Sequence, residues 1–156
     1  MDPAKAVKLI DILTRQHAAH QELRAALAEQ QQALRRFDAA GLELLRQRGD
    51  RLAERIGELE AARAALTGGG ARLTELAAAL GEPQRSRLLA VAHGLRTVAE
   101  ETAALGRINR AAAQCMLNHF HGVYRLLARA GRPVSYGASG RPQEGGGAAL
   151  LVDAVA

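Results

Sequence analysis

The sequence predicts an all-α protein: an elongated antiparallel bundle, or coiled coil, of three long helices and one short helix, with a flexible C-terminal tail. Three observations predict it. Apolar residues make up 48% of the 156 residues, yet aromatics make up only 3% and Trp is absent. The apolar content is mostly Ala and Leu, both strong helix formers, so burial is expected along helical seams rather than in an aromatic core. Apolar residues also recur in alternating steps of three and four, the spacing of a coiled-coil seam, and the breaks between these runs carry helix-start and helix-stop residues.

The first helix is predicted from about Pro3 to about Phe37. Asp2 is suited to the N-cap and Pro3 to the first helical position. Its stripe is Leu9, Leu13, Gln16, His20, Leu23, Leu27, Gln30, Leu34 and Phe37. At 1.5 Å per residue it spans roughly 50 Å. Asp38 can cap a second helix, whose stripe is Leu42, Leu45, Gly49, Leu52, Ile56, Leu59, Arg63 and Leu66. Gly41, Gly49 and Gly57 weaken that helix by up to about 1 kcal/mol each relative to Ala. Gly49 falls on the seam, where a missing side chain lets a partner backbone approach. Thr67 and the glycines at 68–70 end the helix.

A short amphipathic piece follows, with Leu73, Leu76, Ala77 and Leu80 closed by Gly81. Glu82-Pro83 starts the last helix, because Pro fits the first turn and removes a donor that has no partner there. Its stripe runs Leu88, Val91, Leu95, Val98, Thr102, Leu105, Asn109, Ala113, Met116, Phe120, Val123 and Leu127, and it ends near Ala130-Gly131. Residues 1–131 are therefore expected to form one helical domain. Residues 132–156, rich in Gly and Pro, are expected to form a flexible tail.

Composition narrows the classes. The single cysteine, Cys115, excludes an internal disulfide and suits a reducing compartment. The N-terminal residues contain no apolar run of signal-peptide length, and no segment approaches the roughly 20 apolar residues of a membrane span. The expectation is a cytoplasmic protein without membrane insertion. Net charge is +5, unevenly placed. Residues 1–84 hold 12 Lys and Arg against 12 Asp and Glu, whereas residues 85–141 hold nine Arg against Glu100 and Glu101 alone. Positive charge concentrated on the last helix fits an acidic partner surface or nucleic acid, or simply a solvated basic face.

The last helix carries the most informative pattern. At about 100° per residue, its apolar residues from Leu88 to Leu105, apart from Leu89, occupy an arc of about 100°, an ordinary bundle seam. From Ile108 to Leu127 the arc opens to roughly 200°. Met116, Phe120, Val123 and Leu127 continue the seam. Leu117 and Tyr124 widen one edge, and Ile108, Cys115 and Leu126 the other. A face this wide needs cover from the tail, a second copy or a client protein, unless the other helices wrap this end more closely.

No motif speaks for catalysis or a cofactor. His17 with His20, and Cys115 with His119, have spacings that could bridge a metal, but no further ligand stands near either pair in sequence. A mid-helix Cys115 near His119 and His121 lacks an oxyanion hole and a helix N-terminus to lower its pKa. The glycine runs at 68–70 and 145–147 lack the Lys-Ser/Thr of a phosphate loop. Arg125, Arg129 and Arg132 alternate with apolar residues and have no aromatic stacking platform, so nucleic acid is not an expected partner. Asn109 lies on the seam, where a buried Asn commonly sets register, and Asn118 lies at the margin of the arc.

The order of these pieces resembles the flagellar export chaperone family FlgN. The carriers are the break FDAAGLELL at 37–45, Glu60 and Arg63 near the end of the second helix, the paired Asn of INRAAAQCMLN at 108–118, and the Leu126-to-Gly131 helix end with Tyr136-Gly137-Ala138-Ser139-Gly140 after it. The resemblance covers about residues 5–141. It implies a non-enzymatic cytoplasmic chaperone, without cofactor or metal, for hook–filament junction proteins of the FlgK and FlgL type. The flagellar export apparatus is a further implied partner. The client-binding residues are then Met116, Leu117, Phe120, Val123, Tyr124 and Leu127, with Arg125 and Arg129 steering acidic client groups. Asn109, Asn118, Tyr136, Gly137 and Gly140 serve register and the final turn. The basic last helix departs from the acidic character common in such chaperones. The alternative reading is a coiled-coil adaptor or homo-oligomeric structural protein.

Overall fold

The computed structural model describes residues 2–68 and 72–130, and the backbone of 135–136 and 142–143. Helix α1 spans Pro3–Arg36, α2 Ala39–Thr67, α3 Leu73–Ala78 and α4 Gln84–Ala130. The fold is all-α, a bundle of three long helices and one short one. Each end has a local cause. The Asp2 carboxylate accepts from the Ala4 amide at 3.1 Å, and Pro3 occupies the first turn. The Asp38 carboxylate accepts from the Gly41 amide at 2.9 Å and so caps α2. A Cβ at Gly41 would lie 2.3 Å from that carboxylate, so a larger residue there would make the Asp38 side chain shift. Gly68 closes α2 with φ +76°. The Glu82-Pro83 peptide is cis, just before α4.

Two expectations along these helices are corrected. Phe37 does not extend the α1 seam. It is the C-cap, at φ 55°, with its amide turned back to the Ala33 and Leu34 carbonyls and 63% of its surface exposed. The left-handed turn that breaks the chain between α1 and α2 rotates it off the seam. Gly49 admits no partner backbone: a Cβ there would meet only the Leu23 side chain, at 4.0 Å.

The chain packs as two compact units, Met1–Gln114 and Cys115–Ala156, with α4 contributing to both. In the first unit the ion pairs Glu22–Arg55 and Glu29–Arg48, at 3.5 and 3.3 Å, join α1 to α2. Residue numbers rise on one helix as they fall on the other, so the two run antiparallel. Between α1 and α4 the numbers rise together: His17 lies against Gly94, Arg24 pairs with Glu101, and Leu27 receives Asn109. These helices run parallel, and the order is up, down, up.

The dense apolar core lies where α3 meets the start of α1 and of α4. Leu9, Leu13, Ala77 and Leu88 are buried there, with Ile10, Leu66, Leu76, Val91 and Leu95 packed around them. Farther along, α1 buries Ala19, Ala26 and Ala33, one every seven residues. On a helical wheel these fall beside Glu22, Leu23 and Glu29, the side that faces α2. Small side chains there let the two helices pack closely while the predicted seam serves α4. In the second unit, Ser135–Tyr136 (β1) pairs antiparallel with Pro142–Gln143 (β2). The boundary expected at 131 and the rest of the expected tail lie outside the described residues.

Candidate functional site

In the Cys115–Ala156 unit the last turns of α4 display apolar side chains that a bundle helix would normally bury. Phe120 is 51% exposed, Tyr124 62% and Leu127 66%, and Leu117, Val123 and Leu126 are exposed with them. Met116 is half-buried. The stripe that leads to these residues behaves differently in the first unit. There Leu88, Val98, Thr102 and Asn109 are buried, and Val91, Leu95 and Leu105 half-buried. One periodic pattern thus has two fates, packed as far as Asn109 and largely open from Leu117 onward.

The local sequence builds this face. Spacing of three and four brings Met116, Phe120, Val123 and Leu127 onto one ridge, and Leu117 with Tyr124 onto its flank. The His119 and Phe120 rings lie 6.3 Å apart, edge to face. Asn118, Gly122, Val123, Leu126 and Arg129 border an open depression of about 530 Å³. His121, Tyr124 and Arg125 border another of about 440 Å³, which also reaches Asn118.

Charge on α4 is one-sided. Its carboxylates, Glu100 and Glu101, are both engaged, with Arg96 and Arg24 respectively. No Asp or Glu occurs from residue 102 to 130. Arg107, Arg110, Arg125 and Arg129 make no ion pair among the described residues. The face therefore offers hydrophobic area beside Arg125 and Arg129, which have no carboxylate partner among the described residues, and this favours an apolar partner with acidic flanks.

Asn109 stands apart from this face. It is only 4% exposed, and its amide donates to the Leu27 carbonyl at 2.7 Å and to Gln30 Oε1 at 3.0 Å. Its Oδ1 has no partner among the described residues. It belongs to a polar line along the α1–α4 seam. Thr102 Oγ1 in that line donates to the Val98 carbonyl at 2.6 Å and lies 3.4 Å from the His20 carbonyl. His20, half-buried, has its pKa lowered, chiefly by burial, with His17 adding and Glu60 opposing. Asn118 is exposed, Tyr136 lies in β1, and Gly137 and Gly140 lie outside the described residues.

The first unit also holds a feature that periodicity does not mark. A cleft of about 560 Å³ opens near the α1–α2 turn, lined by Leu27, Leu34, Leu42, Gly106, Asn109 and Ala113 among others, with Glu43, Arg46 and Arg110 also bordering it. The one signal for it in the sequence is the pair of small residues, Gly106 and Ala113, where the α4 pattern would accept larger ones. Among the described residues no group of three His, Cys, Asp or Glu could hold a metal ion, and no helix is long and apolar enough to cross a membrane.

A family model described as FlgN protein matches residues 1–144 of the chain. Nothing among curated proteins or solved structures matches it significantly.

Proposed function

The chain belongs to the FlgN family of flagellar export chaperones, and on that premise we propose that its clients are hook–filament junction proteins of the FlgK and FlgL type. It holds them in the cytoplasm in an export-competent state before they reach the export apparatus. The observation that carries this reading is the open apolar face of Met116, Leu117, Phe120, Val123, Tyr124 and Leu127, flanked by Arg125 and Arg129. An amphipathic client helix laid along that face supplies the missing apolar side, as in helix-in-groove recognition. Covering about 600–800 Å² of apolar surface at about 25 cal/mol/Å² gives roughly 15–20 kcal/mol of gross driving force, before the costs of association. Arg125 and Arg129 attract acidic client groups and speed encounter more than they add affinity.

Co-expression tests it. A tagged chain should co-purify with a junction protein that retains its C-terminal segment. Phe120→Asp with Tyr124→Asp should abolish that complex and leave helicity and melting temperature unchanged, because both side chains are exposed. An intact chain that captures neither junction protein refutes the reading. A double variant that unfolds makes these residues core and removes them from the site.

A further inference from the structure

We propose that the cleft near the α1–α2 turn is a second docking site for the exported client, and that it takes an acidic amphipathic helix. The inference rests on the chaperone reading above. Its volume of about 560 Å³ lies within the range of ligand pockets. Leu27, Leu34, Leu42 and Ala113 make it apolar, and the bonds from Asn109 to Leu27 and Gln30 tie α4 to α1 beside it. A wall tied in this way needs little reordering when a partner enters.

Gly106 is the telling residue. It sits in the interior of a 47-residue helix, where Gly is about 1 kcal/mol worse than Ala. A Cβ at this position would meet nothing within 4 Å. The packing of the unit does not need a glycine here, in contrast to Gly41, where a Cβ would strike the Asp38 carboxylate. A larger side chain at this position would project into open space at the cleft, and its absence leaves the α4 backbone within reach of an incoming helix.

Charge selects the occupant. Arg46 is already engaged by Glu43 at 2.8 Å and Asp50 at 2.6 Å. Arg110, on the same rim, has no ion pair among the described residues, and neither has Arg107 one turn away. A second copy docking through α4 could offer these guanidinium groups only Glu100 and Glu101, the carboxylates of that helix, and both are already paired, with Arg96 and Arg24. A client helix with carboxylates beside its apolar ridge has no such shortage.

The test measures affinity of the full chain for purified FlgK-like and FlgL-like proteins of the same genome, by calorimetry, with sedimentation in parallel. Gly106→Leu fills the cleft, Gly106→Ala adds one methyl as a control, and Arg110→Glu reverses the rim charge at an exposed position. Gly106→Leu and Arg110→Glu should each weaken client binding at least tenfold, while Gly106→Ala binds within about twofold of the parent. All three should melt at or above the parent temperature. If both test variants bind like the parent while Phe120→Asp/Tyr124→Asp does not, the cleft is no client site and the chaperone reading stands. A parent chain that binds neither protein overturns both. Client binding intact in Gly106→Leu, together with loss of a parent dimer, gives the cleft to a second copy and overturns the proposal.

Discussion

Replacing Asn109 by Ala should change stability by no more than about 2 kcal/mol, well below what its burial suggests. Two hydrogen bonds are lost, to the Leu27 carbonyl and to Gln30 Oε1. At about 0.5–1.5 kcal/mol net each, they contribute about 1–3 kcal/mol. Against this, the native Oδ1 is buried without a partner among the described residues, a desolvation penalty of about 1–3 kcal/mol that the substitution removes. Gln30 is only half-buried and can turn its amide to water. Loss of side-chain volume adds a small unfavourable term, because the cleft already opens beside this position. Leu13→Ala is the comparator: Leu13 is fully buried in the dense core and should lose about 2–5 kcal/mol. Urea unfolding followed by far-ultraviolet circular dichroism measures both, with ΔΔG taken from the midpoint at constant slope. Asn109→Leu should be at least as stable as Asn109→Ala, and should relax helix register or association state, as apolar replacements of a seam Asn do. An Asn109→Ala loss equal to that of Leu13→Ala would refute the reasoning, since it would mean that Oδ1 is well satisfied in solution.

Three further outcomes can be checked with the same unfolding assay. Asp38→Ala removes the side-chain cap on the Gly41 amide and should lower stability by about 0.5–2 kcal/mol, with Asp38→Asn largely restoring it. Phe37→Gly relieves a left-handed backbone at φ 55° and should raise stability by up to about 1 kcal/mol, since most of the ring is exposed; a loss would show that the ring packs against the turn. His20 has its folded pKa below the ordinary 6.5, so the unfolded chain binds the extra proton first. Stability should therefore be full above 6.5 and fall as pH drops from 6.5 through the folded value. His20→Gln should flatten that part of the profile, and an unchanged profile would count against burial as the cause.

The helix ends were legible because their causes are local. Asp2-Pro3, Asp38, the glycines after Thr67 and Glu82-Pro83 act within one turn of themselves, and α1, α2 and α4 begin and end within a residue or so of them. The α2 stripe was legible too, with Leu52 and Leu59 buried at its centre. Three-four spacing places Phe37 on the seam because the pattern carries on across a helix end, whereas the capping geometry turns it off. The burial of Ala19, Ala26 and Ala33 is not legible in the sequence, because Ala is apolar enough for a seam and common enough on a surface, and pattern alone does not separate the two. The cleft is hidden for a related reason: a cavity is what neighbouring helices fail to fill, and neither Gly106 nor Ala113 of the α4 stripe marks one until α1 and α2 stand beside them.

Periodicity, caps and composition by themselves determined that the chain is all-α, where each long helix starts and stops, and that the apolar arc of the last helix doubles in width after Leu105. They did so because hydrogen bonding and capping reach only three or four residues along the chain. Tertiary structure alone decided that the α1 seam takes α4 in parallel, that Asn109 grips Leu27 and Gln30, and that Leu117 to Leu127 stand open to solvent. A hydrophobic stripe records that a face seeks cover; which surface covers it depends on the shape and charge of segments dozens of residues away.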